Sequence, residues 1–131
     1  MNIKTPVLIF SAESTKNSEL ENIQATCELR DILETTKTRF KEVLGVYEGF
    51  SETSYVVADT TENRRAVLSL CADFDQDCFL AIDANDGVFF EYLNGRAEFC
   101  GRFSPVSRDR ALKSGDYTYC TDLDQYYIIE R

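Results

Sequence analysis

Two short turns in the second half of the sequence indicate an antiparallel β-sheet. Asn85-Asp86-Gly87 and Asn94-Gly95 are typical of tight hairpins, because these residue types tolerate the positive φ angles that such turns need. The turns enclose one predicted strand, Val88 to Leu93, and lead into another, Arg96 to Phe103. The last two predicted strands are Tyr117 to Thr121 and Tyr126 to Ile129. Everything after residue 82 is therefore predicted to be β-structure.

Two helices are predicted before these hairpins. Ser18 followed by Glu21 is a capping box, in which each side chain binds the free backbone N–H of the other residue. This helix is expected to run to about Thr35. The second helix has the clearest helical spacing of apolar residues in the chain, and Asp59 with Glu62 forms its candidate capping pair. Its apolar positions are Val67, Leu70, Cys71 and Phe74.

The predicted elements of the first half alternate in the order βαββαβ. Their strands are Val7 to Phe10, Glu42 to Tyr47, Ser54 to Ala58 and Cys78 to Ile82. The first of these is nearly all apolar, which is typical of a central strand buried on both faces. We therefore predict an α+β fold with a ferredoxin-like antiparallel sheet, two helices on one face and additional C-terminal β-hairpins. With 131 residues and no linker or repeat, residues 1–131 are expected to form a single domain.

Cysteine and histidine content argues against a metal site. The chain has five cysteines, without a Cys-x-x-Cys pair, and no histidine. Zinc sites need closely spaced thiolate or imidazole ligands, so we expect neither a metal nor a disulfide framework. In a reducing compartment the cysteines are expected to be small buried apolar residues.

The charge and the apolar segments limit the partners and the location. A formal net charge of -9 argues against ordinary nucleic-acid binding and favours a cationic ligand or partner, although an acidic protein can also imitate the charge of DNA. The longest apolar stretches, Pro6 to Phe10 and Cys78 to Ile82, are too short to cross a bilayer. The segment Met1 to Pro6 does not resemble a signal peptide, so we expect a cytoplasmic protein.

Three polar junctions are candidate sites, and each by itself is also what an ordinary loop would contain. Ser11-Ala12 follows the first strand, where small residues allow a ligand to approach the backbone. Gly45 to Ser54 offers a tyrosine and two acids around a hairpin. Asp73 to Cys78 places three acids and a glutamine after a helix, where acidic residues oppose the helix dipole.

Together these junctions form a pattern that resembles the phage-encoded S-adenosylmethionine lyases, long called S-adenosylmethionine hydrolases. The residues that carry the resemblance are Ser11-Ala12, Glu21-Asn22, Gly45-x-Tyr47, Glu52, Leu70-Cys71, Gln76-Asp77-Cys78 and Leu80. The likeness covers about Val7 to Gly101 and extends more weakly to Gly115–Thr118. The turn before Glu52 is several residues shorter than in the family, which leaves Glu48 as an alternative to Glu52.

The resemblance implies a fold, an activity and a site without cofactors. Family members are trimers similar to PII signalling proteins and bind their ligand between subunits. They cleave S-adenosylmethionine to 5′-methylthioadenosine and homoserine lactone, and phages use this reaction against host restriction. The implied catalytic residues are Glu52, which would hold the substrate ammonium, and Tyr47, which would orient the amino-acid end. Gln76 and Asp77 would belong to a neighbouring edge of the pocket, supplied across a subunit interface.

The adenosine would lie against Phe10, Ser11 and Ala12 on this interpretation. Two other functions remain open at the level of the sequence. One is a non-catalytic acidic phage inhibitor that occupies a DNA-binding host enzyme. The other is a PII-like protein that binds a nucleotide without converting it.

Overall fold

A computed structural model describes residues 5–131, so most of the segment on which the signal-peptide prediction rests lies outside the described residues. Within that range the elements are β1 (Val7–Phe10), α1 (Glu19–Thr35), β2 (Lys41–Tyr47), β3 (Phe50–Ala58), α2 (Thr61–Asp73), β4 (Cys78–Ile82), β5 (Gly87–Tyr92), β6 (Ala97–Val106), α3 (Arg108–Ser114), β7 (Tyr117–Cys120) and β8 (Gln125–Glu130). None of these helices is long and apolar enough to cross a membrane.

The strands form a closed antiparallel barrel in the order β1-β3-β2-β7-β8-β6-β5-β4. The predicted ferredoxin-like open sheet is therefore wrong, although the elements do follow the order βαββαβ up to β4. The reason lies in the C-terminal strands. β7 pairs with the free edge of β2 and β5 pairs with the free edge of β4, while β8 and β6 join them. Pairing both edges removes the exposed backbone groups that an open sheet would leave.

Two apolar layers hold the barrel together, one inside it and one outside. Along β1, Val7 and Ile9 face the barrel interior, and Leu8 and Phe10 face the helices α1 and α2. All four residues are buried, which confirms the prediction of a strand covered on both faces. The interior layer also contains Val43, Val56, Ile82, Val88, Cys100, Phe103, Cys120 and Tyr127. The outer layer joins β1, β3 and β4 to α1 and α2 through residues such as Leu29, Leu33, Tyr55, Val67 and Cys71.

The helix ends follow local capping chemistry. The capping box of Ser18 and Glu21 is confirmed at the start of α1. The predicted capping pair of Asp59 and Glu62 is wrong, because Thr60 is the N-cap of α2 and accepts a hydrogen bond from the Asn63 N–H. Helix α3 was not predicted from the sequence, although Ser107 caps its start and Gly115, with φ of 80°, ends it.

The β2–β3 turn is tighter than the sequence analysis predicted. Glu48 and Gly49 alone form it, with φ angles of 53° and 79°, as a two-residue hairpin turn requires. β3 therefore begins at Phe50, and not near Ser54. Because side chains alternate along a strand, the longer β3 places Glu52 on the inner face and Thr53 on the outer face.

Candidate active site at the end of the barrel

A cavity of about 250 Å³ lies at the end of the barrel where β1 and β2 end and β3 and β4 begin. Antiparallel pairing brings these strand ends together, as the register Ile9 with Leu80 and Tyr47 with Phe50 shows. The lining residues are Ile9, Phe10, Ser11, Tyr47, Glu52, Ser54, Gln76, Cys78, Phe79, Leu80, Phe90 and Ile129. A depression of similar size between α1 and α2 is lined by apolar side chains, hydroxyls and one amide, which makes it a weaker candidate for chemistry.

The structure brings most of the sequence-predicted site residues to this one cavity. Those that line it are Phe10, Ser11, Tyr47, Glu52 and Gln76. Gln76 and Glu52 reach it from the same chain, so no second subunit is needed to bring these two side chains together. Ala12 is only 2% exposed and packs in the layer between the barrel and the helices, away from the cavity. Asp77 is an exposed residue whose carbonyl oxygen accepts a hydrogen bond from the Leu93 N–H.

Glu52 is the acid of the cavity. Burial disfavours its charged form, and the nearby negative charge of Glu13 adds to that effect. A hydrogen bond from the Ser54 side chain acts in the opposite direction, and the balance raises the pKa of Glu52 to about 7. Glu48, the alternative acid, is exposed in the tight turn, where its N–H binds the Asp116 carboxylate at 2.9 Å. The geometry thus favours Glu52 over Glu48.

Tyr47 lies at the end of β2 with its hydroxyl 2.9 Å from Thr118 Oγ1. Burial raises the pKa of Tyr47, and the negative charges of Asp116 and Glu52 also raise it, so the phenol stays neutral. Gly45 explains the Gly-x-Tyr spacing noted in the sequence. A Cβ at position 45 would lie 3.3 Å from Cε2 of Tyr47, so glycine leaves room for the ring on the same inner face.

Ser11 and Gln76 are held by bonds to the surrounding loops. The Ser11 hydroxyl donates to the Thr53 carbonyl at 2.9 Å and accepts from the Glu13 N–H at 3.0 Å. The Gln76 amide donates to the Glu13 carbonyl at 2.9 Å. Asp75, with φ of 55°, reverses the chain after α2 and sets Gln76 at the rim of the cavity. Both predicted residues therefore also maintain the local fold.

The sequence analysis gave several residues around the cavity no role in the site. Phe79 and Phe90 add aromatic surface, and Cys78 adds a thiol. Burial raises the pKa of Cys78, so the thiol stays protonated and is a poor nucleophile. Glu13 does not line the cavity, but its contacts with Ser11, Thr53 and Gln76 support the wall. The only feature of the sequence that could have identified Glu13 is its position in the loop after β1, next to Ser11-Ala12.

The cavity suits a positively charged ligand that also has an apolar body. Its described lining combines one carboxylate, a phenol, an amide and three phenylalanines, and includes no lysine or arginine. Carboxylates bind ammonium groups through charge-assisted hydrogen bonds, and aromatic faces attract cations. Across residues 5–131, no group of three or more histidine, cysteine or acidic side chains is arranged to hold a metal ion.

Comparison with models of protein families gives a match that covers nearly the whole chain. The family model described as the S-Adenosylmethionine lyase family matches residues 8–130. No curated protein matches the chain. The matched range includes every residue that lines the cavity, from Ile9 to Ile129.

Proposed function

Because the chain belongs to the S-adenosylmethionine lyase family, we propose that the cavity at the end of the barrel binds S-adenosylmethionine and cleaves it to 5′-methylthioadenosine and L-homoserine lactone. Family membership makes the chain an S-adenosylmethionine lyase in general terms. The observation that carries the finer proposal is the meeting of Glu52, Tyr47 and Gln76 with three aromatic rings in one cavity.

The proposed reaction needs no external nucleophile. An oxygen of the substrate's own carboxylate attacks Cγ, the Cγ–S bond breaks, and its electron pair goes to the sulfonium sulfur. The products are a neutral thioether and a five-membered lactone, so charge balances without a proton transfer or a redox partner. The protein has to fold the methionine part so that the carboxylate faces Cγ. Because both reacting atoms already belong to one molecule, the protein contributes by fixing the rotatable bonds between them in the reactive geometry and by excluding water.

Glu52 and Tyr47 would act on the amino-acid end of the substrate. The Glu52 carboxylate binds the substrate ammonium, and the neutral Tyr47 hydroxyl, already bonded to Thr118, orients the folded chain by hydrogen bonding. A pKa of about 7 leaves Glu52 partly protonated in the free protein at neutral pH. The ammonium favours the ionised form, so binding of the substrate and ionisation of Glu52 support each other.

The remaining lining residues would hold the sulfonium and the adenosine. Phe90, which packs against the barrel interior, offers aromatic surface to the sulfonium, while Phe10, Ser11 and Gln76 line the cavity where we place the adenosine. Ala12 and Asp77 lie outside the cavity lining, so this proposal assigns them no contact with the substrate.

The biological role that we propose is depletion of the methyl donor in the host cytoplasm to counter host restriction. Support comes from the reaction itself, since cleavage removes the methyl donor. We propose no nucleic-acid partner, because a formal net charge of -9 repels phosphates. The alternative of a PII-like binding protein loses its structural basis, because a closed barrel replaces the ferredoxin-like sheet.

Isotope labelling tests the reaction. In water enriched in ¹⁸O we expect unlabelled lactone to appear first, because both lactone oxygens come from the substrate carboxylate. Homoserine formed later by hydrolysis of the lactone would carry the label in its carboxyl group alone. Mass spectrometry of the products against an enzyme-free sample measures this. Label in the side-chain hydroxyl would show that water attacks Cγ, and binding without products would favour a non-catalytic function.

The size of the cavity supports a proposed homotrimer with shared sites. At about 250 Å³ the cavity is slightly smaller than the roughly 300–1,000 Å³ typical of ligand pockets, and we propose that a neighbouring subunit covers the part of the substrate that projects from it. Phe99, on β6 at the same end of the barrel, is 64% exposed and packs edge-on against Phe89, and we assign this aromatic surface to the subunit contact. With 15.0 kDa per chain, light scattering is expected to give about 45 kDa. A monomer at micromolar concentration would contradict the shared site.

A further inference from the structure

Glu13, in the loop between β1 and α1, connects three separate elements near the cavity. Its Oε2 accepts a hydrogen bond from the Thr53 N–H of β3 at 2.6 Å and one from Thr26 Oγ1 of α1 at 3.3 Å. Its carbonyl oxygen accepts from Gln76 Nε2, in the turn between α2 and β4, at 2.9 Å. One half-buried residue thus ties β3, α1 and the α2–β4 turn together.

The bond to Thr53 substitutes for a missing strand. β1 pairs with β3 only as far as Phe10 with Tyr55, so β1 no longer covers the edge of β3 at Thr53. The Glu13 carboxylate accepts from the Thr53 N–H, and the Ser11 hydroxyl donates to the Thr53 carbonyl. Side chains from the β1–α1 loop therefore satisfy both backbone groups of the residue that directly follows Glu52.

We propose that Glu13, which does not itself line the cavity, is a positioning residue that anchors the Glu52–Thr53 segment and Gln76 and places a second negative charge beside Glu52. The part of this inference that concerns turnover rests on the proposed function. The anchoring of Thr53 and the effect of the Glu13 charge on Glu52 concern the free protein and do not depend on any substrate.

The charge of Glu13 acts on Glu52 within a small set of ionisable neighbours. Glu52 interacts with Glu13 from the β1–α1 loop, Tyr47 from β2 and Cys78 from β4. None of these neighbours carries a positive charge, so the like charge of Glu13 has no compensating cation among them. Burial of Glu52 remains when Glu13 is neutralised, but the pKa of Glu52 must then fall toward its ordinary value.

Neutralising Glu13 is expected to shift the pH dependence of kcat/KM to lower pH. If ionised Glu52 binds the substrate ammonium, kcat/KM of the wild type rises with pH through about 7. In Glu13→Gln the rising limb moves to lower pH, because Glu52 ionises more easily. The glutamine oxygen can still accept from the Thr53 N–H, so this variant removes the charge and keeps most of the anchoring. Glu13→Ala removes the charge and the side-chain bonds to Thr53 and Thr26, and keeps only the bond from Gln76 to the backbone carbonyl of residue 13.

Glu19→Gln is the matched control. Glu19 is exposed in the first turn of α1 and lies along the same outer depression as Glu13. Glu19→Gln therefore removes one negative charge from the same region and leaves the bonds of Glu13 to Thr53 and Gln76 in place.

Two measurements on these variants test the inference. NMR titration of the Glu52 carboxyl in the free protein is expected to show a midpoint lower by about half a pH unit or more in Glu13→Gln, and no change in Glu19→Gln. The pH profile of kcat/KM is expected to shift in parallel, and Glu13→Ala is also expected to lose about tenfold on the plateau at high pH.

The outcomes separate this inference from the proposed function. An unshifted Glu52 midpoint in Glu13→Gln overturns the role of Glu13, whatever the activity. Absence of turnover in the wild type refutes the proposed function, while the NMR titration still decides the role of Glu13. Should Glu13→Ala fail to fold, the comparison of Glu13→Gln with Glu19→Gln still gives the answer.

Discussion

Glu52→Gln is expected to lower kcat/KM for S-adenosylmethionine by ten- to a hundredfold or more at pH 8. The substitution keeps the size of the side chain and removes its charge. The loss corresponds to a charge-assisted hydrogen bond of about 1.5–3 kcal/mol. Some affinity should remain, because Phe10, Ser11 and Gln76 are unchanged, and calorimetry can measure it. Steady-state kinetics at pH 8, above the Glu52 pKa of about 7, measures the loss in turnover.

Loss of fold is not expected to explain that result. The pKa of Glu52 is raised, which means that the folded protein disfavours its ionised form. A neutral glutamine should therefore leave thermal stability unchanged or slightly higher at pH 8. The control is Glu48→Gln, on the adjacent exposed turn, which should change kcat/KM by less than about twofold. If Glu48→Gln were the inactive variant, the family would stand and the assignment of the acid would be wrong.

Local structure was largely predictable because local chemistry determines it. The bounds of β1 and β4 and the capping box of α1 are confirmed. The hairpins at Asn85-Asp86-Gly87 and Asn94-Gly95 are confirmed as well, joining β4 to β5 and β5 to β6. In each case the signal is a short apolar run, a capping side chain or a residue that tolerates positive φ, and none needs knowledge of distant contacts.

Closure of the barrel was not predicted, since it depends on pairing between distant segments. β2 meets β7 across more than seventy residues, as in the register of Val43 with Cys120. The sequence nevertheless contained evidence that the sheet is covered on both faces. The prediction placed two helices on one face of the sheet and also made β1 apolar on both faces. The second apolar face, with Val7 and Ile9, needed a cover of its own, and the C-terminal strands supply it by closing the barrel.

Part of the lining of the candidate site was predictable from the sequence, but its electrostatics was not. The resemblance to a family identified Tyr47, Glu52 and Gln76, and the structure places all three at one cavity. The raised pKa of Glu52 depends on burial and on Glu13, which comes from a different segment of the chain. The reference pKa of a glutamate is about 4.3, so sequence reasoning alone would have placed the loss of activity at much lower pH.

Gly101→Ala is expected to destabilise the protein by about 2–5 kcal/mol, a large part of the 5–15 kcal/mol typical of domains. Gly101 has φ of 138°, and a Cβ there would overlap the Glu130 carbonyl oxygen. β6 has an extra residue here, since Val88 pairs with Gly101 and Phe89 with Phe99. Such a bulge bends β6 at the point where it meets β8, so the substitution strains the closure of the barrel.

The free energies of unfolding of Gly101→Ala and Gly95→Ala, measured in urea, distinguish the effect of the close contact at Gly101 from the effect of backbone strain. Gly95 also has a positive φ of 92°, but a Cβ there would meet nothing within 4 Å. Gly95→Ala should therefore lose only about 1 kcal/mol, from backbone strain alone. The larger loss in Gly101→Ala would reflect the clash with Glu130, whose neighbour Ile129 lines the cavity. If the free energy of unfolding fell equally in the two variants, the close contact between β6 and β8 at Gly101 would not limit closure of the barrel.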